Sequence, residues 1–172
     1  MLSYDGWQKL DRFGRGVVPF MVGFVLMVLS LVPLRLADFS TIMPSLGLMV
    51  VFYWAVYRPD LLGPLGAFLL GLFYDLITGM PLGMNTLIHL LVYGLVVSQR
   101  QLFLAHSFFI LWWGYAVVAV FAAAVAWLVG LAFGAGMAPG RALVFQAIAA
   151  VALFPLVAWL CGRVQRGFLS EA

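Results

Sequence analysis

The chain has 172 residues, of which 66% are hydrophobic and only 9% charged, and its formal net charge is +3. Soluble globular domains are about a quarter charged and about half apolar, so this composition excludes an ordinary soluble enzyme and indicates an integral membrane protein. Because a helix needs about 20 residues to cross a bilayer, six crossings and their connections leave no room for a sizeable soluble domain.

Residues 1–15 predict a short amphipathic segment on the inner membrane surface. Apolar side chains such as Trp7 and Leu10 alternate there with charged side chains such as Lys9 and Asp11. This pattern is typical of a helix that lies in the membrane interface. A helix that docks onto a partner protein would show the same pattern and is the alternative.

Six apolar runs follow, and each is long enough to predict a membrane-spanning helix. The runs cover residues 16–34, 39–57, 61–78, 82–98, 108–133 and 142–162. The predicted fold is therefore an all-α integral membrane protein, with a bundle of six transmembrane helices over 16–162 and a short basic tail over 163–172. The start of the fifth helix stays open, because its apolar run can also be read from Phe103.

The basic residues predict which ends of the helices face the cytoplasm. With both termini inside, the inner segments carry Lys9, Arg12, Arg15, Arg58, Arg100, Arg163 and Arg166, and the outer segments carry Arg35 and Arg141. Basic residues favour the cytoplasmic side, so we expect both termini there. Tyr53, Trp54 and Trp159 lie near the same side and predict an aromatic belt at the interface.

Asp75 is an ionisable residue inside the third apolar run, where a charge costs several kcal/mol near the bilayer centre. Small residues continue its position at four-residue spacing, namely Gly63, Ala67, Gly71 and Gly79. Such a stripe lets two helix backbones approach closely. We therefore expect Asp75 to face another helix and not lipid.

Three further polar residues are predicted to lie near Asp75 in the outer half of the bundle. Asn85 and His89 are four residues apart and share one face of the fourth helix, and Gln146 lies at a similar depth early in the sixth. Such a cluster could pin the helices together through buried hydrogen bonds, bind a ligand or ion, or contact a partner protein. The sequence leaves these three interpretations open.

Two features of the fifth and sixth runs concern packing. Ala122, Ala126 and Gly130 form a second small-residue stripe, which predicts internal packing or, as the alternative, the contact of a homodimer. The single cysteine, Cys161, lies in the last apolar run and predicts a buried, unreactive thiol.

No residue pattern of an enzyme accompanies the polar cluster. The sequence contains no H-E-x-x-H, no G-x-S-x-G and no P-loop, and no thiol or carboxylate cluster joins His89 or His106 to complete a metal site. A lone acid also offers no pair of general acid and general base. We therefore expect no enzyme activity, no cofactor, no metal ion and no nucleic-acid partner.

An ordered set of motifs runs from the second predicted span to the end of the fourth. It comprises Pro44, Phe52-Tyr53-Trp54, Arg58-Pro59-Asp60, Gly71-Leu72-Phe73-Tyr74-Asp75-Leu76-Ile77-Thr78-Gly79, Leu82-Gly83 and Gln101-Leu102-Phe103. In order and spacing, this set resembles the bacterial rod shape-determining protein MreD family. Pro44, Asp75, Gly79 and Gly83 match the pattern of that family.

The resemblance implies a non-enzymatic scaffold of the cell-elongation machinery in the bacterial inner membrane. Proteins of this family lie beside MreC, a single-pass protein with a periplasmic domain, and help couple MreB filaments to peptidoglycan synthases. The family fold also resembles the S-components of energy-coupling-factor transporters, so a substrate-binding transporter subunit is the alternative. We expect the outer polar cluster and lipid-facing grooves to bind an MreC-like partner, with Asp75 at the structural centre.

Overall fold

The structure is a computed structural model that describes residues 4–31, 45–79, 81–105, 107–132 and 140–169. All regular secondary structure in these ranges is α-helical, which confirms the predicted helical class. The helices are α1 (Tyr4–Leu31), α2 (Leu46–Tyr57), α3 (Pro59–Thr78), α4 (Met84–Ser98), α5 (Arg100–Leu104), α6 (Phe108–Ala132) and α7 (Gly140–Leu169).

Three of the described helical segments are long and apolar enough to cross a membrane, judged by length and composition. They are Pro59–Thr78, Phe108–Ala132 and Val144–Gly167. Three shorter apolar segments are Val17–Ser30, Leu46–Tyr57 and Met84–Ser98. Each of the six apolar runs of the sequence therefore coincides with one apolar helix, although only three of these helices reach the length of a full span within the described residues.

The first and fifth apolar runs adjoin further helical structure. Helix α1 continues without a break from residue 4 into the first apolar run. The short helix α5 lies before the fifth run, and α6 then begins at Phe108. Arg100 at the start of α5 contacts the central helix α2, because its Nε donates a hydrogen bond to the carbonyl oxygen of Val56 at 3.2 Å. The separate helix α5 explains why the apolar pattern before Phe108 is longer than a bilayer needs.

Helix α2 lies in the centre of the bundle. All ten of its residues from 47 to 56 are buried, and it packs against α1, α3, α4, α5 and α7. A helix that is buried on every side is apolar on every side, which explains why this segment shows no polar face. The predicted interfacial belt is therefore wrong for Tyr53 and Trp54, which are 6% and 0% exposed, whereas Trp159 is 55% exposed.

An aromatic cluster joins α2 to three other helices. The ring of Phe52 meets the rings of Phe103, Tyr115 and Phe154 edge-on, at centroid distances of 5.6, 5.3 and 5.5 Å. The rings of Tyr115 and Phe154 stack on one another at 4.3 Å. These are the offset and edge-to-face arrangements that aromatic rings prefer, and they hold α5, α6 and α7 against the central helix.

Candidate functional site

The carboxylate of Asp75 lies at the start of helix α4 and accepts five hydrogen bonds from the N-cap residue and first turn of that helix. Oδ2 accepts from the backbone N–H of Gly83 at 2.9 Å, and from the backbone N–H and hydroxyl of Thr86 at 3.2 and 3.0 Å. Oδ1 accepts from the backbone N–H and the side-chain amide of Asn85 at 3.0 and 2.9 Å. The side chain of Asp75 is completely buried.

This arrangement explains how an acid is accommodated within an apolar helix. The N–H groups in the first turn of a helix have no partner within that helix, and Gly83 at the N-cap of α4 has no side chain that could accept from them. Asp75 supplies the missing acceptor from the neighbouring helix α3. Its negative charge also lies at the positive end of the α4 dipole. Asp75 therefore caps the N-terminus of α4 from the neighbouring helix α3.

One helical turn before Asp75, Gly71 allows the backbones of α3 and α4 to approach closely. A Cβ atom added at Gly71 would lie 2.5 Å from Cα and 2.9 Å from the backbone nitrogen of Thr86. Any side chain larger than hydrogen would therefore displace the start of α4. The neighbouring member of the stripe, Ala67, is also completely buried.

The two ends of the predicted stripe do not belong to this packed face. Gly63 has a φ of 54° and interrupts α3 at a kink before Pro64, so the four-residue helical spacing does not continue through it. Gly79 follows the last turn of α3 with a φ of 67°. A Cβ atom at either glycine would meet nothing within 4 Å, which corrects the expectation that both positions serve close helix packing.

Asn85 links the Asp75 carboxylate to His89. The backbone carbonyl oxygen of Asn85 lies 2.8 Å from Nδ1 of His89. A carbonyl oxygen can only accept, so Nδ1 carries the proton of this bond and Nε2 is an acceptor in the neutral ring. Nε2 is buried and has no hydrogen-bond partner among the described residues, and His89 as a whole is 2% exposed.

A cavity of about 90 Å³ lies beside these polar groups. It is lined by Ser45, Leu48, Asn85, Ile88, His89, Tyr115, Ala119, Ala122, Ala123, Ala126, Gln146, Ala147 and Ala150. Asn85, His89 and Gln146 thus line one cavity, as members of a single predicted cluster would. Asp75 lies behind Asn85 and does not line the cavity.

Two residues of the small-residue stripe on α6, Ala122 and Ala126, line the cavity and face the interior of the bundle. Ala122 is 6% exposed and Ala126 is half-buried, so internal packing is confirmed there. A Cβ atom at Gly130 would meet nothing within 4 Å, so the stripe does not pack closely along its whole length. Cys161 is buried and free, as predicted, whereas Pro44 lies outside the described residues.

Sequence reasoning missed Thr86, which gives Asp75 two of its five hydrogen bonds. A signal was present, because Thr86 falls in the first turn of a helix whose N-cap is a glycine. A helix start of this kind needs an acceptor from elsewhere. Ser45 and Tyr115 were also missed as cavity-lining residues, since a cavity formed by four helices has no local sequence pattern.

Comparison with known protein families shows the family of the chain. The model of the rod shape-determining protein MreD family matches residues 11–164. The chain belongs to the MreD family. No curated protein and no solved structure matches it significantly. Membership in this family means that the chain is a multi-pass membrane protein with a non-enzymatic role in the determination of rod shape.

The hydrogen bonds of Asp75 indicate what kind of residue it is. All five hydrogen bonds of this acid come from uncharged groups of the α4 N-cap and first turn, so its oxygens hold the start of that helix in place. Among the described residues, no group of three or more histidines, cysteines and acids lies close enough to hold a metal ion. Asp75 therefore has the contacts of a structural residue.

Proposed function

We propose that this protein is a six-span scaffold of the bacterial inner membrane that binds an MreC-like single-pass partner. Through that partner it helps couple MreB-type filaments to peptidoglycan synthases. The MreD family match over residues 11–164 carries the proposal. Six apolar helices support six crossings, and the excess of basic residues in the inner segments supports cytoplasmic N- and C-termini.

The exposed surface of the described helices supports a scaffold that works through helix contacts. Large apolar side chains such as Leu65 on α3, Val117 on α6 and Leu156 on α7 are each more than 60% exposed. Such a surface suits lipid tails, and it also suits the transmembrane helix of a partner, because helices in membranes associate through close packing.

The proposed outer contact is the α3–α4 turn, of which the structure describes Gly79 and residues 81–83. Leu82 in this turn is 67% exposed, while the hydrogen bond from Gly83 to Asp75 anchors the backbone beside it. An anchored turn with an exposed apolar side chain is suited to a periplasmic stalk that emerges beside the bundle. Asp75 itself is buried, so its contribution to partner binding is indirect, through the position of this turn.

In-cell crosslinking at native expression tests this function. A photoreactive amino acid replaces Leu82, and a matched variant carries it at Leu104, which is 47% exposed at the proposed inner end. After purification in mild detergent, mass spectrometry identifies the adducts. We expect the Leu82 position to capture a single-pass protein with a periplasmic domain, and wall synthases to copurify with both variants.

Other outcomes of the same experiment would contradict the proposal. Recovery of a pair of ATPases with a long-helix transmembrane coupler would instead support a substrate-binding subunit of a small-molecule transporter. Capture of the stalk protein from Leu104 but not from Leu82 would place the contact at the wrong end of the bundle. Crosslinks from Leu82 to a second copy of the chain, with no stalk protein captured, would assign this turn to a homodimer contact instead.

A further inference from the structure

Two arginines lie at the end of the bundle where α2 meets α3. Arg58 is the residue that joins the two helices. Arg100, the first residue of α5, donates a hydrogen bond from Nε to the carbonyl oxygen of Val56 at 3.2 Å. Val56 lies two residues before Arg58, so both arginines lie around the last turn of α2.

The acid beside these arginines neutralises only part of their charge. Oδ2 of Asp60 lies 3.7 Å from Nε of Arg58, which is longer than a hydrogen bond, and exposed ion pairs of this kind contribute little. Two further arginines, Arg163 and Arg166, lie on the last turns of α7 at the same end of the bundle. The side chains described at this end therefore carry an excess of positive charge.

Arg100 provides the observation that points to a bound anion. A guanidinium group has five N–H donors, and the bond to Val56 uses one of them. Arg100 forms no other hydrogen bond or ion pair with the residues that the structure describes, although it is half-buried. Membrane orientation requires only that a basic residue lie on the correct side. Arg100 is in addition held against α2, with both terminal nitrogens available to a phosphate, which guanidinium groups bind in bidentate geometry.

Apolar side chains are exposed on the helix that Arg100 begins. Leu102 and Leu104 of α5 are exposed, as is Phe108 at the start of α6. Basic pockets between membrane helices bind the headgroups of anionic lipids. Acyl chains that extend from a phosphate at Arg100 would cover this apolar surface, which neither a free phosphate ion nor an acidic peptide would do.

We propose that Arg100 and Arg58 bind the phosphate of an anionic phospholipid such as phosphatidylglycerol, with the acyl chains against the exposed leucines of α5. The excess of arginines favours an anionic headgroup over a zwitterionic one, because the ammonium group of the latter would meet the same positive charge. Since Arg100 also bonds one of the last carbonyl groups of α2, the bound lipid would strengthen the contact between α5 and the central helix. The proposal depends neither on the identity of the partner protein nor on the membrane face at which this end lies.

Native mass spectrometry of the full-length protein in mild detergent tests the site. Phosphatidylglycerol and phosphatidylcholine with the same acyl chains are titrated in parallel, and the affinity for the first bound lipid is measured. We expect the protein to bind phosphatidylglycerol on the order of tenfold more tightly, the usual effect of a hydrogen bond to a charged group. Inorganic phosphate is added as a competitor, and we expect it not to displace the lipid.

Three glutamine variants locate the binding. Arg100→Gln and Arg58→Gln each remove one proposed ligand and should weaken phosphatidylglycerol binding by about tenfold. Arg163→Gln is the matched control, since it removes the same charge from the same end of the bundle, where the guanidinium of Arg163 lies 5.0 Å from the ring centroid of Trp159. We expect it to change the affinity by less than about twofold, because salt screens exposed charges.

Four outcomes would overturn the proposal. Equal losses in the three variants would show that binding follows net charge alone, and unchanged binding in Arg100→Gln would remove the central ligand. Equal affinity for the two lipids would leave the arginines to an acidic segment of a partner protein. Displacement of phosphatidylglycerol by inorganic phosphate would assign the site to a soluble anion instead.

Discussion

Gly71 of α3 lies so close to Thr86 of α4 that the backbone of Thr86 occupies the space that a side chain at Gly71 would need. A Cβ atom at Gly71 would be 2.5 Å from Cα of Thr86. One turn further along α3, Asp75 accepts two hydrogen bonds from the same Thr86. Close packing and hydrogen bonding therefore act on one residue, and together they set the position at which α4 begins.

The first prediction concerns this close approach. Gly71→Ala should destabilise the protein by about 1–3 kcal/mol, the usual cost of added volume in a packed site, because the new methyl group meets backbone atoms that cannot rotate away. The measurement is the midpoint of thermal unfolding in mild detergent. Gly94→Ala on α4 is the control, since a Cβ atom there meets nothing within 4 Å. Equal midpoints for the two variants would contradict the packing argument.

The second prediction concerns the acid. Asp75→Leu should lower stability by several kcal/mol, because it leaves the buried donors of the α4 start without an acceptor, at about 1–3 kcal/mol for each unsatisfied group. Asp75→Asn should fall between this variant and the parent, since the amide keeps one accepting oxygen but turns an NH₂ group toward donors. Unfolding midpoints and protein level at native expression provide the measurement.

Thr86→Val is the matched control for the acid. It removes one hydroxyl donor to Asp75 and keeps the backbone bond, so a loss of about 1 kcal/mol is expected. If Asp75→Leu cost no more than this control, Asp75 would not be the cap of α4. If Asp75→Leu and Asp75→Asn left both stability and partner copurification unchanged, its proposed supporting role in partner binding would also be lost.

The third prediction separates two glycines of the α3–α4 turn. Gly79 has a φ of 67° and Gly83 a φ of 99°. Asparagine tolerates the left-handed region near the first value, so Gly79→Asn should change stability by less than about 1 kcal/mol. Gly83→Asn should cost more, because 99° lies beyond the range that side chains accept. The measurement is the midpoint of thermal unfolding of each variant. A lower midpoint for Gly79→Asn than for Gly83→Asn would contradict the prediction.

Apolar runs and one ionisable residue were enough to predict the helical class and an inward-facing Asp75. Local spacing does not reveal where a helix changes direction, so Gly63 was predicted to lie on a packed stripe although it forms a kink. The burial of Trp54 was missed for a related reason. An aromatic residue near the end of an apolar run has the same pattern at an interface and in a core, and only the packing of neighbouring helices around α2 distinguishes them.

The cavity was beyond sequence reasoning for a physical reason. Its polar residues Asn85, His89 and Gln146 were predicted to cluster, because helical spacing and depth are readable from the chain. Its size depends on how far α2, α4, α6 and α7 stand apart at one level, which is a property of the whole bundle. Whether Nε2 of His89 has a partner among the described residues likewise depends on the packing of the bundle.

The last prediction tests the membrane orientation on which the outer position of the turn depends. Cys161 is completely buried, so a membrane-impermeant maleimide should not label the parent protein in spheroplasts. Leu82→Cys should be labelled in intact spheroplasts, because Leu82 is 67% exposed in the turn assigned to the outer side. Leu104→Cys should be labelled only after permeabilisation, since α5 is assigned to the inner side. The reverse pattern would place the α3–α4 turn in the cytoplasm, and a periplasmic stalk could then no longer reach it.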